Sequence, residues 1–465
     1  MTLPAASQPG SSSRPHYAER FRCIGSACED TCCAGWTVPI DRATWDKYQS
    51  LPESPLRILV NASMTPREES AEVAAEGAAP AALATIRMNA QNQCPLLTED
   101  RLCRIHAQVG ESFLSHTCAT YPRIVASVNG VTETTLALSC PEAARLVLLT
   151  PDLFTPNQET CDPIQAVNAV KADAPHDPSS PQAWLMPIRE VTFRLVRNRD
   201  YPLWQRVFLL GLLCRRLDST ARGELKRSIP AFLGDFEAAV AAGSLCAAMQ
   251  TLPVDRKAQL DLVLMLAGMM LRKSNVRPRF VECIQAFTAG IGNGPGATLD
   301  SLAAHYANAH DRHFEPFFLR HPHILENYLI HTVFRRQFPF GREGLAAGSK
   351  VDRTREFALF CAQFALMRGL LIGVAGFHGQ AFSAKHVVHT VQAASKHFEH
   401  HPEFLKLAHE LLVNNKMDGA RGMAILLRNA EVAPGARAAR PAAPERADSA
   451  PVAERLAGEP VAVPG

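Results

Sequence analysis

Apolar residues recur at helical spacing through the last two thirds of this chain. Leu185, Ile188, Val191 and Leu195 form one stripe, and Leu203, Val207, Leu210, Leu213 and Leu217 the next, at the spacing that places side chains on one face of a helix. The same period predicts helices over 228–250, 255–273, 278–290, 298–313, 322–337, 354–375, 386–399, 402–414 and 418–430. No strand alternation of comparable strength interrupts them, so the predicted fold class is mainly α. In HILENYLIHTVFRRQFPF, Ile324, Leu325, Tyr328, Leu329 and Val333 make the apolar face, while Arg335 and Arg336 sit near the C-terminus, where they complement the helix dipole. The longest apolar stretch, FALFCAQFALMRGLLIGVAGF at 357–377, contains Gln363 and Arg368 and stops at a Gly and His cluster. It predicts a buried helix rather than a membrane span. Its glycines predict close helix packing and a C-cap.

The first third reads differently: it is loop-rich and cysteine-rich, with a boundary near residue 150. The pattern predicts a disordered tail at 1–16, a cysteine-rich metal-binding module at 17–150 and a Pro/Asp/Ser-rich linker at 151–183. A helical domain at 184–431 and a disordered Ala/Pro-rich tail at 432–465 follow. The module is expected to pack on the helical domain. Between Pro66 and Ala84 the text carries little packing information and reads as a surface insertion. With 465 residues, 47% of them hydrophobic, the chain is long enough for a large core. A formal charge of +3, with no basic stripe carrying interleaved aromatics, argues against nucleic acid as a partner. The first fifteen residues lack a basic and an apolar leader region, so a cytoplasmic protein is expected, with thiols kept reduced.

Eight of the thirteen cysteines precede residue 141, and four form one run, Cys23, Cys28, Cys32 and Cys33, in FRCIGSACEDTCCAGW. Cys94, Cys103, Cys118 and Cys140 follow, each beside a turn-forming or helix-starting residue. Clustered thiols in a reducing compartment predict metal ligands. The spacing Cys-x4-Cys-x3-Cys-Cys lacks the paired Cys-x2-Cys knuckles of zinc ribbons, and Gly35 stands where a radical S-adenosylmethionine motif would place its third cysteine. Structural zinc and iron–sulfur both stay open, as do two metals or one cluster with spare thiols. Ser139 and Glu142 in S-C-P-E fit a capping box around Cys140, whose thiol would then ionise more readily at the helix N-terminus. Cys161, Cys214, Cys246, Cys283 and Cys361 are isolated and read as small core residues. Trp36 and Trp45 read as anchors of the small module. His386, His389, His397, His400 and His401 repeat at short spacing with no carboxylate at a familiar motif spacing, so they read as a solvated or partly buried helix face.

The segments YAERFRCIGSACEDTCCAGWTVPIDRATWDKY, CPLLTEDRLCRIHAQVGESFLSHTCATYPRI and VNGVTETTLALSCPEAARLVLL resemble the flagellin lysine N-methylase family. The front part is also similar to cysteine-cluster proteins described as zinc- or iron-chelating. The likeness continues in LWQRVFLLGLLCRRLD, HILENYLIHTVFRRQFPF and ALMRGLLIGVAGFH and spans most of 17–410. It implies an enzyme that moves a methyl group from S-adenosylmethionine to surface lysines of flagellin. It also implies an iron–sulfur cluster, of 4Fe–4S type, with zinc as the alternative, held among Cys23, Cys28, Cys32, Cys33, Cys94, Cys103, Cys118 and Cys140. No Gly-rich strand-to-helix turn announces the methyl donor's site. Because lysine must lose a proton to attack, Tyr121 and Glu142 near the cysteines are candidate catalytic acceptors and Arg123 a candidate holder of the donor's carboxylate. The competing reading is a metal-binding or redox, cluster-handling protein without methyl transfer; the plainer one is structural zinc in a helical interaction protein.

Overall fold

The computed structural model describes residues 12–429 except 37, 67–81, 129–130, 152, 154–155, 158–169, 173–180, 222–227, 246–248, 250–251, 253, 273–275, 345–350 and 399–402. The Ala/Pro-rich tail, most of the expected insertion, and Cys161, Cys246, His400 and His401 lie outside the described residues.

The N-terminal third carries α1 (His16–Arg20), α2 (Arg42–Gln49), α3 (Pro55–Ser63), α4 (Arg104–Val109), α5 (His116–Thr120) and α6 (Pro141–Leu149). The rest carries α7 (Leu185–Arg197), α8 (Leu203–Ala221), α9 (Ile229–Ala241), α10 (Arg256–Leu271), α11 (Pro278–Gly290), α12 (Leu299–Ala309) and α13 (Glu315–Arg320). It continues with α14 (His323–Arg336), α15 (Gly341–Gly344), α16 (Arg353–His378), α17 (Ala384–Phe398), α18 (Phe404–Asn414) and α19 (Ala420–Leu427). The fold is mainly α, as the periodicity predicts. Many of these helices start where a short polar side chain takes up an orphan N–H: Asp41 accepts from Thr44, Ser228 from Ala231, Asp255 from Ala258 and Asp352 from Arg355, and Thr298 with Ser301 closes a capping box.

Two sheets stand in the part the sequence presents as loop. Strands β1 (Ser12–Pro15), β5 (Arg123–Val128), β6 (Val131–Leu136), β7 (Pro156–Asn157) and β8 (Val170–Ala172) assemble in the order β7-β1-β6-β5-β8, and β2 (Val38–Ile40), β3 (Met64–Pro66) and β4 (Ala84–Ile86) in the order β2-β4-β3. The β5–β6 hairpin runs in register from Arg123 opposite Leu136 to Val128 opposite Val131. The missed signal is Asn129-Gly130 between two β-branched runs, a strong hairpin marker. Ser12–Pro15, in the expected tail, pairs along β6, and two pieces of the expected linker pair with β1 and β5. Backbone pairing, which needs no apolar pattern, recruits these polar segments.

Buried residues fall into two cores. The smaller gathers Val38, Ile40, Tyr48, Leu51, Leu56, Val60, Ala84, Ile86, Leu96 and Ile105, with Trp36, Trp45, Cys94, Cys103 and Cys118 packed on it. The larger holds the helices, and it also takes in Tyr17, Phe21, Leu136, Leu138, Ala143 and Val147. The division of buried surface therefore runs between the cysteine loops and the sheet-plus-α6, upstream of residue 150. A buried ion pair crosses from β6 to α7, Glu133 with Arg189, and Gln337 bonds both. At the centre α16 is buried along almost its whole length. A Cβ at Gly290 would collide with the carbonyl oxygen of Gly373, so these glycines let α11 and α16 touch backbone to backbone. Gly379 ends α16 with φ +55. This helix alone is long and apolar enough to cross a membrane among the described residues, and 94% of its apolar window is buried within the protein. Cys214, Cys283 and Cys361 are buried core residues.

Candidate metal centre

The cysteine run does not form a helix. Residues 21–36 wind through one short 3-10 turn, Gly25–Ala27, and are held by other elements. Cys94 N donates to Cys33 O at 2.8 Å and Gly35 N to Asn92 O at 2.8 Å, which ties the run to the loop before α4. A bridge between Leu97 and Cys103 closes that loop on itself, and Cys103 stands at the N-cap position of α4 without a side-chain cap. The Ser115 hydroxyl accepts from Cys118 N and starts α5. Trp36 Nε1 donates to Cys32 O at 2.7 Å, and its ring lies 5.1 Å from that of Tyr121.

These constraints bring thiols from far apart in sequence into one electrostatic neighbourhood. Cys32 and Cys33 stand 4.0 Å apart. The Cys33 thiol hydrogen-bonds to Cys32, which is held down to about 7, and Cys33 is pushed up by that bond, by burial and by Cys32, Cys103 and Cys118. Burial pushes Cys118 up to about 12, with Cys103, Cys94 and Cys32 adding to it. Cys94 is raised by burial and then by Cys103 and Cys32. Tyr48 is raised by burial and by the same three thiols, Cys118, Cys103 and Cys94. On the other side of Cys32, burial pushes Cys140 up to about 12, with Cys28 and Cys32 contributing, and Cys28 is raised by burial with a contribution from Cys23. The eight thiols thus sort into Cys33, Cys94, Cys103 and Cys118 on one side and Cys23, Cys28 and Cys140 on the other, with Cys32 between.

Elevation of Cys28, Cys33, Cys94, Cys118 and Cys140, with neighbouring thiols among its causes, fits groups that would ionise together beside a cation, as in a thiolate-rich metal site. Sulfurs around one tetrahedral zinc lie about 3.8 Å from each other, and among the described residues no three cysteine sulfurs lie within 4.8 Å of one another. The triad that does meet that spacing is His310, Asp311 and Glu315. There Arg256 takes both Asp311 oxygens at 2.8 Å and Asn429 donates to His310 Nε2 at 2.7 Å, so its ligand atoms already serve protein contacts.

Cys140 departs from the expectation. It is itself the N-cap of α6 without a side-chain cap, no capping box forms, and burial outweighs the helix N-terminus, raising rather than lowering the thiol. Glu142 instead pairs with Arg145, which also reaches Glu29. The Tyr121 hydroxyl is 3.1 Å from Ser139 Oγ, and Arg123 lies over the Phe21 ring at 5.3 Å. His386 stacks on His378, His389 faces Glu282 at 3.5 Å and His397 stacks on Phe280.

The sequence reading missed the residues that clamp the cysteine loop to the helices. Lys396 on α17 donates to Asp30 Oδ2 at 2.7 Å and to Thr31 O at 2.6 Å, and Gln392 donates to Asp30 Oδ2 at 2.8 Å and to Ser139 O at 2.9 Å. Arg277 donates to Ala34 O and Gly35 O, and Arg279 to Glu29 O and Gln392 Oε1. Against the cost of burial, Lys396, the Thr31 N–H and Gln392 hold the Asp30 carboxyl below its ordinary value. No local pattern marks a pair 366 positions apart.

Residues 189–426, nearly the whole helical part, match the FliB lysine N-methylase C-terminal domain. A protein named Lysine-N-methylase from Salmonella typhimurium is 23% identical over 372 residues, covering 78% of this chain and 85% of its own length, and its namesake from Salmonella choleraesuis aligns equally. The flagellar biosynthetic protein FliU of Salmonella muenchen is 33% identical over 138 residues, covering 30% of this chain and 77% of its own. No solved structure matches.

Proposed function

The chain belongs to the FliB lysine N-methylase family and is a protein-lysine N-methyltransferase, and on that premise we propose that it methylates surface lysines of flagellin with S-adenosylmethionine as donor. The observation that carries the reading is the family match along nearly the whole helical domain, extended by relatives whose alignment covers 78% of this chain and so reaches beyond that domain. A flagellar substrate is supported by the name of the FliU relative. In the reaction the neutral lysine amine forms the new N–C bond as the C–S bond of the sulfonium breaks, the electron pair stays on the departing thioether, and the amine proton leaves to a base or water. The enzyme's part is to strip water from the amine and hold it in line with the methyl group.

The thiol set supports an iron–sulfur cluster as resident cofactor, held by Cys33, Cys94, Cys103 and Cys118, with Cys32 shared toward Cys23, Cys28 and Cys140. When bound, such a cluster supplies a rigid cross-link between loops and a redox-active centre. Asp30, Gln392 and Lys396 then fix the cluster-bearing loop against α17, so the front module and the helices work as one body. Coexpression with the flagellin of the same organism tests the reading. Label from methyl-labelled S-adenosylmethionine is expected on exposed flagellin lysines, and an enzyme with full metal content that labels none would end the proposal.

A further inference from the structure

Residues of α14 to α18, with Leu138 and Phe340, line a half-open cavity of about 470 Å³ to which none of the candidate residues above contributes. Its size is that of a site for a small organic ligand. Two chemistries meet in its wall. From α14, His331 is 1% exposed, with Nε2 2.7 Å from Leu136 O. A carbonyl only accepts, so Nε2 carries the proton and Nδ1 presents a lone pair. That Nδ1 is buried and has no hydrogen-bond partner among the described residues. Burial pushes the ring down to about 3, which keeps it a neutral acceptor at physiological pH. A buried acceptor left unpaired is costly, and a ligand N–H or O–H relieves it.

The second chemistry is cationic. Arg336 reaches Gln363 Oε1 and Glu356 Oε2 only at 3.2 Å each, and the exposed Arg355 and Lys406 stand at the rim. Glu356 is the one carboxylate among the described lining side chains. Two of its lining residues are close in sequence to the candidate metal centre and its clamp. Leu138 lines it two residues before Cys140, and Phe398 lines it two residues after Lys396, the residue that grips Asp30.

We propose that this cavity binds the methyl donor, with Arg336, Arg355 and Lys406 receiving its amino-acid carboxylate and His331 Nδ1 accepting from one of its N–H or O–H groups. The assignment rests on the S-adenosylmethionine reading above and places the donor beside the segment that leads into Cys140.

Calorimetric titration of the full chain with S-adenosylhomocysteine and with 5′-methylthioadenosine, which lacks the amino-acid end, tests it. Arg355→Glu with Lys406→Glu, both on the exposed rim, is expected to weaken S-adenosylhomocysteine about tenfold or more while leaving methylthioadenosine within about twofold, because only the former offers a carboxylate. His331→Phe, checked for folding by circular dichroism, is expected to weaken the homocysteine ligand as well. A rim variant that binds S-adenosylhomocysteine like the parent overturns the cavity assignment even if His331→Phe does not fold. If the parent transfers labelled methyl groups and binds the ligand while the rim variant is indifferent, only this site falls; if the parent neither binds nor transfers, the donor reading falls with it.

Discussion

Asp30 and Lys396 are 15% and 9% exposed in their side chains, so each is a nearly buried charge whose stability depends on the other. Removing one leaves the other uncompensated, and Lys396→Met is expected to cost about 3 kcal/mol in urea unfolding. The double change Asp30→Asn with Lys396→Met is expected to cost less than the single, since no orphan charge remains. Equal or additive losses would show that the pair is not the clamp described. His331 and His310 give a second residue-scale prediction. Burial lowers both, to about 3 and about 4, below the value of about 6.5 in the unfolded chain. The unfolded state therefore binds more protons than the folded one between these values, so their contribution is complete above pH 6.5 or so and is lost as pH falls toward 4 and then 3. Unfolding free energy measured from about pH 7 down to 4.5 should fall, and His310→Asn should flatten that slope. The cysteines were legible at this scale because thiols are rare and their clustering needs no fold to be seen. The behaviour of Cys140 was not: its place at a helix start suggested easy ionisation, while burial, which depends on what packs over it, decided the opposite.

Helix positions followed from apolar spacing almost throughout, because each helix buries one face and the period of that face is written in the chain. The glycines of α16 show where element-level reading meets packing. A Cβ at Gly373 would stand 2.8 Å from the Phe287 carbonyl oxygen, whereas nothing lies within 4 Å of a Cβ at Gly268 in α10. Gly268→Ala is thus expected to raise stability by about 0.5–1 kcal/mol through helix propensity alone. Gly373→Ala is expected to lower it by about 2 kcal/mol or more by forcing α11 and α16 apart. Thermal melts of both variants check the contrast, and a stabilised Gly373→Ala would mean that the two helices do not touch as described. The strands were harder to see. Segments of two to six residues that pair through backbone, several of them rich in polar residues, leave little periodicity to read.

For the molecule as a whole, metal content and architecture should change together. Protein purified without oxygen is expected to carry iron and sulfide and to absorb broadly near about 400 nm. Cys118→Ser or Cys33→Ser is expected to lose both metal and several degrees of melting temperature, since a site built from distant loops is coupled to folding, while Cys361→Ser should keep its metal. Colourless protein with stoichiometric zinc would replace the cluster with zinc on the same thiols. The chain by itself determined the helices of the second part, the buried central helix and which thiols are available to a metal, because apolar period and residue chemistry are local properties. Only the tertiary structure decided how those thiols sort around Cys32, that Asp30 is locked to Lys396 and that His331 faces a cationic cavity. Those relations join residues scores or hundreds of positions apart, and they arise from which surfaces bury one another, a quantity no local window of sequence contains.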